Sequence, residues 1–372
     1  MKRANGQTII QLFEEWSPKS LAVEGDKVGL MVGTLNKPVH KVMIALDVLE
    51  DVVDEAIAKN VDMIIAHHPL IFKPLKQIDT SKGQGPIIEK CIKHDITVYA
   101  AHTNLDITNG GVNDMMADAL GLQETKVLVP TQEVPLKKLV AFIPESHVEE
   151  VRQALGDAGA GFIGGYSHCT FSSEGTGTFI PGEDTNPYLG EKGEMEFAAE
   201  KRMETVVPEP ILKKVLRALE KAHPYEEPAY DIYPLDLEGE TLGLGRIGKL
   251  ETPVSLEDFV NKVKKAYDVE HVRAVGSLSD TVKTVALLGG DGNKYWSYAK
   301  LQGADVYITG DLYYHVAHDA QMEGLNLIDP GHNVEKIMKD GVKNKLEELL
   351  DTKKYSTDFI ASNVSTDPFT FL

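Results

Sequence analysis

Four places in this sequence pair residues that could do chemistry: His67 beside His68, His102 followed by Asp106, Asp311 followed by His315, and His332 followed by Glu335. Imidazole and carboxylate together suit Zn, Fe, Mn, Co or Ni. Successive side chains of a strand point to opposite faces, so His67 and His68 chelate one ion only where the strand breaks, whereas at a strand end they can serve two ions. The three-residue step from His332 to Glu335, at the start of a helix, puts both on one face. A carboxylate such as Glu335 can bridge two cations, and paired ions about 3.5–4 Å apart clamp and activate a water for hydrolysis. The pattern favours a dinuclear site, although spacing alone does not count ions.

Taken singly, each pair has a plainer reading. Histidines beside Pro69 serve as loop residues, and His102 and Asp106 near Gly110-Gly111 serve as turn formers. His332 and Glu335 fit a solvated first helical turn, and Asp311 with His315 would orient ligands from outside the site. Their joint placement is what points to a metal, and it depends on the elements that carry them.

From residue 42 the chain alternates β-rich runs with helical patterns, the signature of an α/β layer architecture with a largely parallel sheet. Strands are expected at 42–48, 61–66 and 96–101, with helices at 50–59, 86–93 and 112–120, the last closed by Gly121. The pattern returns with strands at 282–288, 304–309 and 325–328 and helices at 293–302, 312–323 and from 332 to about 350. In both segments the polar residues follow the carboxyl ends of strands, where open α/β sheets bind ligands. Two similar three-layer α/β lobes forming a metal cleft are therefore expected. Between them the order is strand 136–143, helix 147–155, a hairpin within 166–180 around Gly175 and Gly177, strand 194–206, helix 209–222 and strand 229–234. This is the β-α-β-β-α-β order of a ferredoxin-like module. The expected domains are 1–129, the insert 130–240, and 241–372.

Composition narrows the function classes. The 372 residues carry 38 Lys and Arg against 57 Asp and Glu, a formal charge of −19, and no basic run exceeds two residues, as at Lys137-Lys138. Such a chain is repelled by phosphate backbones, so direct nucleic-acid binding is not expected. The two cysteines, Cys91 and Cys169, form no zinc-binding or disulfide pattern, which fits a reducing cytoplasm. No apolar window approaches the roughly 20 residues of a membrane span, and residues 1–7 lead into an amphipathic stretch rather than the apolar region of a signal peptide.

His67-His68-Pro69, His102-Thr103-Asn104-Leu105-Asp106, Ile308-Thr309-Gly310-Asp311 and Gly331-His332-Asn333-Val334-Glu335 together resemble the GTP cyclohydrolase 1 type 2 homolog family, also called the Nif-three family. The resemblance implies a two-metal centre between α/β lobes, with two divalent ions per subunit, Zn, Fe, Mn, Co or Ni. Carried over by motif, the ligands would be His67, His68, Asp106, His332 and Glu335, with Glu335 bridging and His102 supporting them. His223-Pro224-Tyr225-Glu226-Glu227-Pro228 is similar to a signature of the PII/CutA-like insert of bacterial members, modules that form trimers, and implies a toroidal homohexamer. Where the family often has a Trp-Asp-Asn-like stretch, residues 25–30 read Gly-Asp-Lys-Val-Gly-Leu.

The family name implies a hydrolase that opens the imidazole ring of GTP with release of formate. By their placement, His102 or His315 would relay protons. No Walker-type phosphate loop is present, so a nucleotide would be held by metal, helix N-termini and scattered basic residues. The rival expectation is a metal-binding regulatory or small-molecule-sensing oligomer without catalysis.

Overall fold

The computed structural model describes residues 3–371. The chain runs α1 (Gly6–Trp16), β1 (Gly29–Val32), β2 (Lys41–Ala45), α2 (Glu50–Ala58), β3 (Met63–Ala66), α3 (Gly85–Lys93), β4 (Thr97–Ala100), α4 (Thr103–Ile107), α5 (Val112–Ala119) and β5 (Gln123–Glu133). It continues with β6 (Leu136–Pro144), α6 (Val148–Asp157), β7 (Thr170–Phe179), β8 (Glu196–Pro208), α7 (Leu212–Ala222) and β9 (Tyr230–Leu235). The last part is β10 (Thr241–Ser255), α8 (Leu256–Ala266), β11 (Arg273–Val275), β12 (Thr281–Asp291), α9 (Trp296–Leu301), β13 (Val306–Gly310), α10 (Tyr314–Met322), β14 (Asn326–Asp329), α11 (Met338–Thr352) and β15 (Asp358–Ala361). Two compact units result: one joins the residues up to 131 with those from 242 onward, and the other is 132–241. Among the described residues no helix is long and apolar enough to cross a membrane.

The first unit contains two sheets. One has the order β1-β4-β3-β2-β15, in which β15, β2, β3 and β4 run parallel and β1 is an antiparallel edge. The other has the order β11-β14-β13-β12-β10-β5, with β12, β13 and β14 parallel. Parallel strands are covered on both faces and so read as continuous apolar runs. In β2, Val42 and Ile44 face one cluster while Met43 and Ala45 face another, packed with Val52 and Ala56 of α2 and Ile88 of α3. The first cluster also takes Val285, Leu287, Val306 and Ile308 from the second sheet, with α1, α5 and α11. The two α/β repeats thus share one apolar core, in which each fully buried Val, Leu or Ile contributes about 1.5–3 kcal/mol.

The second unit has the order β-α-β-β-α-β and an antiparallel sheet, β7-β8-β6-β9, over helices α6 and α7. Leu139, Ile143, Val151, Leu155, Met203, Val207, Val215 and Leu219 form its own core. The hairpin expected around Gly175 and Gly177 is not there. Both glycines lie within the single strand β7, paired opposite Glu200 and Ala198 of β8, and neither has positive φ. The tight turn falls earlier, where Ile163 and Tyr166 exchange backbone hydrogen bonds around Gly164 at φ 56°.

Candidate metal centre

All the cluster-forming residues lie in the first unit, at carboxyl ends of strands. β3 ends at Ala66, so His67 and His68 sit just past the strand, freed from alternation, with ring centroids 5.0 Å apart. His102 follows β4, and the short helix α4 carries Asp106. Past β14 the chain turns at Gly331, with φ 86°, into a 3-10 helix, His332–Ile337. In a 3-10 turn residues three apart eclipse, and His332 Nε2 stands 3.2 Å from Glu335 Oε2. The expected helix therefore begins one turn tighter than an α-helix, which brings this pair closer.

Each imidazole is fixed through Nδ1. His67 Nδ1–H donates to the Ala101 carbonyl at 2.9 Å, which leaves Nε2 as the free donor atom because a carbonyl can only accept. His68 Nδ1 meets Asp47 Oδ1 at 2.7 Å, His102 Nδ1 meets Asp26 Oδ1 at 2.8 Å, and His332 Nδ1 meets Asp311 Oδ2 at 2.7 Å. Histidines that bind metals are held in this way, with the second nitrogen on a carboxylate or carbonyl. The Nε2 atoms of His68 and His332 reach Glu335 Oε2 at 3.1 and 3.2 Å. His67 Nε2 lies 3.6 Å from Asp106 Oδ1 and 3.7 Å from Glu335 Oε2, too far for hydrogen bonds.

His67 Nε2 and Asp106 Oδ1 are buried and have no hydrogen-bond partner among the described residues. Each such atom costs about 1–3 kcal/mol unless something satisfies it. A cation would satisfy both. Three groups have ligand atoms within 4.8 Å of one another: His67, His68 and His102; His68, His332 and Glu335; and His67, Asp106 and Glu335. The donor set therefore fits a metal site.

The electrostatics agree. Burial disfavours a charged His68, but its hydrogen bonds to Asp47 and Glu335 outweigh that and push the imidazole up to about 10. The hydrogen bond to Glu335 raises His332 to about 9. His67 is raised against its burial by the charges of Asp106 and Glu335. Burial likewise opposes ionisation of Glu335, yet His67, His332 and His68 hold it well below the usual carboxylate range. Burial raises Asp106. Outside the cluster, Asp26 and Asp47 are held low despite burial by their partners, His102 with Thr103 and His68 with Thr366.

The cluster brings together His67, His68, His102, Asp106, His332 and Glu335. Asp311 orients His332, as one reading of the sequence had it. His315 lies on the exposed side of α10, its ring against Tyr314, outside the three donor groups. Asp26, present in the sequence only as part of the 25–30 stretch, Asp47 and Gly289-Gly290 of β12 also shape the centre, none with a role assigned from the sequence. A Cβ at either glycine would come within 2.9 Å of Glu335 Oε1, so the carboxylate needs both glycines there. The Gly-Gly-Asp-Gly run at 289–292 was the available signal.

The Duf34/NIF3 (NGG1p interacting factor 3) family model matches residues 4–368. The chain is 63% identical over 372 residues to the GTP cyclohydrolase 1 type 2 homolog of Halalkalibacterium halodurans, and 58% identical over 371 residues to that of Bacillus subtilis, with 100% of each chain covered. A crystal structure of a Bacillus cereus protein related to NIF3 matches the fold with a TM-score of 0.94 at 60% identity, again over 100% of both chains. A Staphylococcus aureus protein matches with a TM-score of 0.75 at 34% identity over 100% of both chains. With likeness of this degree along its whole length, the chain belongs to the Duf34/NIF3 family.

Proposed function

We propose that this protein is a dinuclear metal-dependent hydrolase acting on a nucleotide-like substrate, with ring opening of GTP the first reaction to test. The observation that carries the reading is the overlap of the three donor groups, in which His67, His68 and Glu335 each belong to two. His67, Asp106 and Glu335 would hold one divalent ion and His68, His332 and Glu335 the other, with Glu335 common to both. Zn, Fe, Mn, Co and Ni all suit these donors. Bound there, the ions would supply Lewis acidity and an activated water.

The chain's own residues do the positioning. Asp47 and Asp311 keep the Nδ1 protons of His68 and His332 on their outer sides, so that both Nε2 atoms face Glu335. Asp26 does the same for His102, whose other nitrogen is then available as a further donor or as a proton carrier. His315, the other proton carrier its place in the sequence suggested, is exposed on α10 and outside the donor groups, so the role is proposed for His102. The substrate class rests on the name carried by the relatives, GTP cyclohydrolase 1 type 2 homolog. The β-α-β-β-α-β order of the inserted unit supports a PII/CutA-like module, and with it a toroidal homohexamer in the cytoplasm.

The test is formate release from GTP by the full chain with its metal, compared with His67→Ala and Glu335→Ala. Release by the wild type, lost in both variants, supports the reading. Two ions per chain without turnover would keep the centre and remove GTP, directing the search to other phosphoesters and amides. A second reading, a metal-binding oligomer that senses a small molecule, is favoured by one observation, a large cavity in the inserted unit.

A further inference from the structure

The cavity has a volume of about 830 Å³ and is lined entirely by residues of the inserted unit. Its chemistry comes from the segment His223-Pro224-Tyr225-Glu226-Glu227-Pro228, which the metal centre does not use. Tyr225, Glu226 and Glu227 all line it. The imidazole of His223 is buried and bound to the Phe142 carbonyl at 2.9 Å, and its ring packs against Tyr225, which anchors the segment. Tyr225 in turn packs against Phe179 and Tyr188, at 5.7 and 6.2 Å between centroids, so three aromatic rings gather at one wall.

Beside these rings lies a buried carboxylate. Glu200 of β8 is only 7% exposed and accepts a hydrogen bond from the Tyr225 hydroxyl at 2.9 Å. A Cβ on Gly177 would come within 2.2 Å of Glu200 Oε2, so the glycine of the neighbouring strand makes room for the acid. Arg202, the one basic residue of the lining among the described residues, is paired with Glu204. Burying an ionised carboxylate is costly unless an opposite charge or hydrogen bonds compensate, and here the lining offers Glu200 a hydroxyl and π-faces.

We propose that this cavity binds an organic ammonium ion, a cationic head on an apolar body. Aromatic faces attract such a cation through their quadrupoles, and more strongly when desolvated. A bare metal ion fits less well, because among the described residues no three His, Cys, Asp or Glu donors here come close enough to share one. An anion would meet Glu200. The proposal is independent of whether the metal centre catalyses a reaction, and its test reads binding alone.

The test is calorimetric titration of the full chain with choline and with its neutral isostere, 3,3-dimethylbutan-1-ol. Choline is expected to bind saturably, about tenfold or more tighter than the alcohol, with a comparable loss in Glu200→Gln. Tyr188→Leu, at a half-exposed position that the core does not need, is expected to weaken choline several-fold without lowering the melting temperature. Absence of saturable choline binding, equal binding of the alcohol, or choline binding that survives both substitutions would overturn the proposal.

Discussion

The first unit crowds four imidazoles and two carboxylates into three overlapping groups, within each of which the ligand atoms lie within 4.8 Å of one another, whereas the inserted unit sets one buried carboxylate beside aromatic rings in a cavity of about 830 Å³. Both regions call for positive charge. In the first, two buried atoms have no partner among the described residues and each histidine is fixed from outside, an arrangement that suits a small ion with demanding geometry. In the second, Glu200 already has its tyrosine, and the space left is far larger than an ion, which suits a cation with a body. Donor density and preorganisation, more than charge, separate a metal centre from an organic-cation site.

The strongest way to break this contrast is Glu335→Ala. Glu335 faces His67, His68 and His332, so its loss is expected to cost the protein most of its metal, measured by elemental analysis of the purified variant. Next come the residues that hold the imidazoles. Asp47→Asn and Asp311→Asn are each expected to weaken metal binding about 10- to 100-fold in competition with a chromophoric chelator, while the fold persists. Unchanged affinity would show that the outer carboxylates do not set the centre.

The pH dependence follows from the raised histidines. In chelator-stripped protein His68 and His332 titrate near 10 and 9 instead of 6.5. Their contribution to stability is therefore complete below about pH 6.5 and lost as pH rises through 9 to 10. A metal must displace those protons, so its apparent affinity should climb with pH to the same range, and binding at pH 8 should release protons. Calorimetry in buffers of different ionisation enthalpy measures that release, and a value of zero would contradict the assignment. The smallest effects sharpen the comparison: Glu200→Gln and His315→Ala are both expected to leave metal content at the wild-type level.

The donors were legible because each follows a β-rich run, and strand ends are where an α/β fold gathers its chemistry. Asp26 and Asp47 were not, since each is a single aspartate in a loop, and only the folded chain brings them to His102 and His68. The edge strands β1 and β15 escaped for a related reason. Gly29–Val32 and Asp358–Ala361 are four residues long, and they become strands only because β4 and β2 offer them free edges. In β7 the alternation was real but the turn was misplaced, because both glycines continue the strand, and Gly177 makes room for the Glu200 carboxylate of β8 rather than reversing the chain.

The central claim is tested most directly by counting the metal ions in freshly purified, chelator-free protein, with protein concentration fixed by amino-acid analysis. The account predicts about two divalent ions per chain, as expected for a two-metal site. No stoichiometric metal, under conditions where the chain is folded, would contradict it.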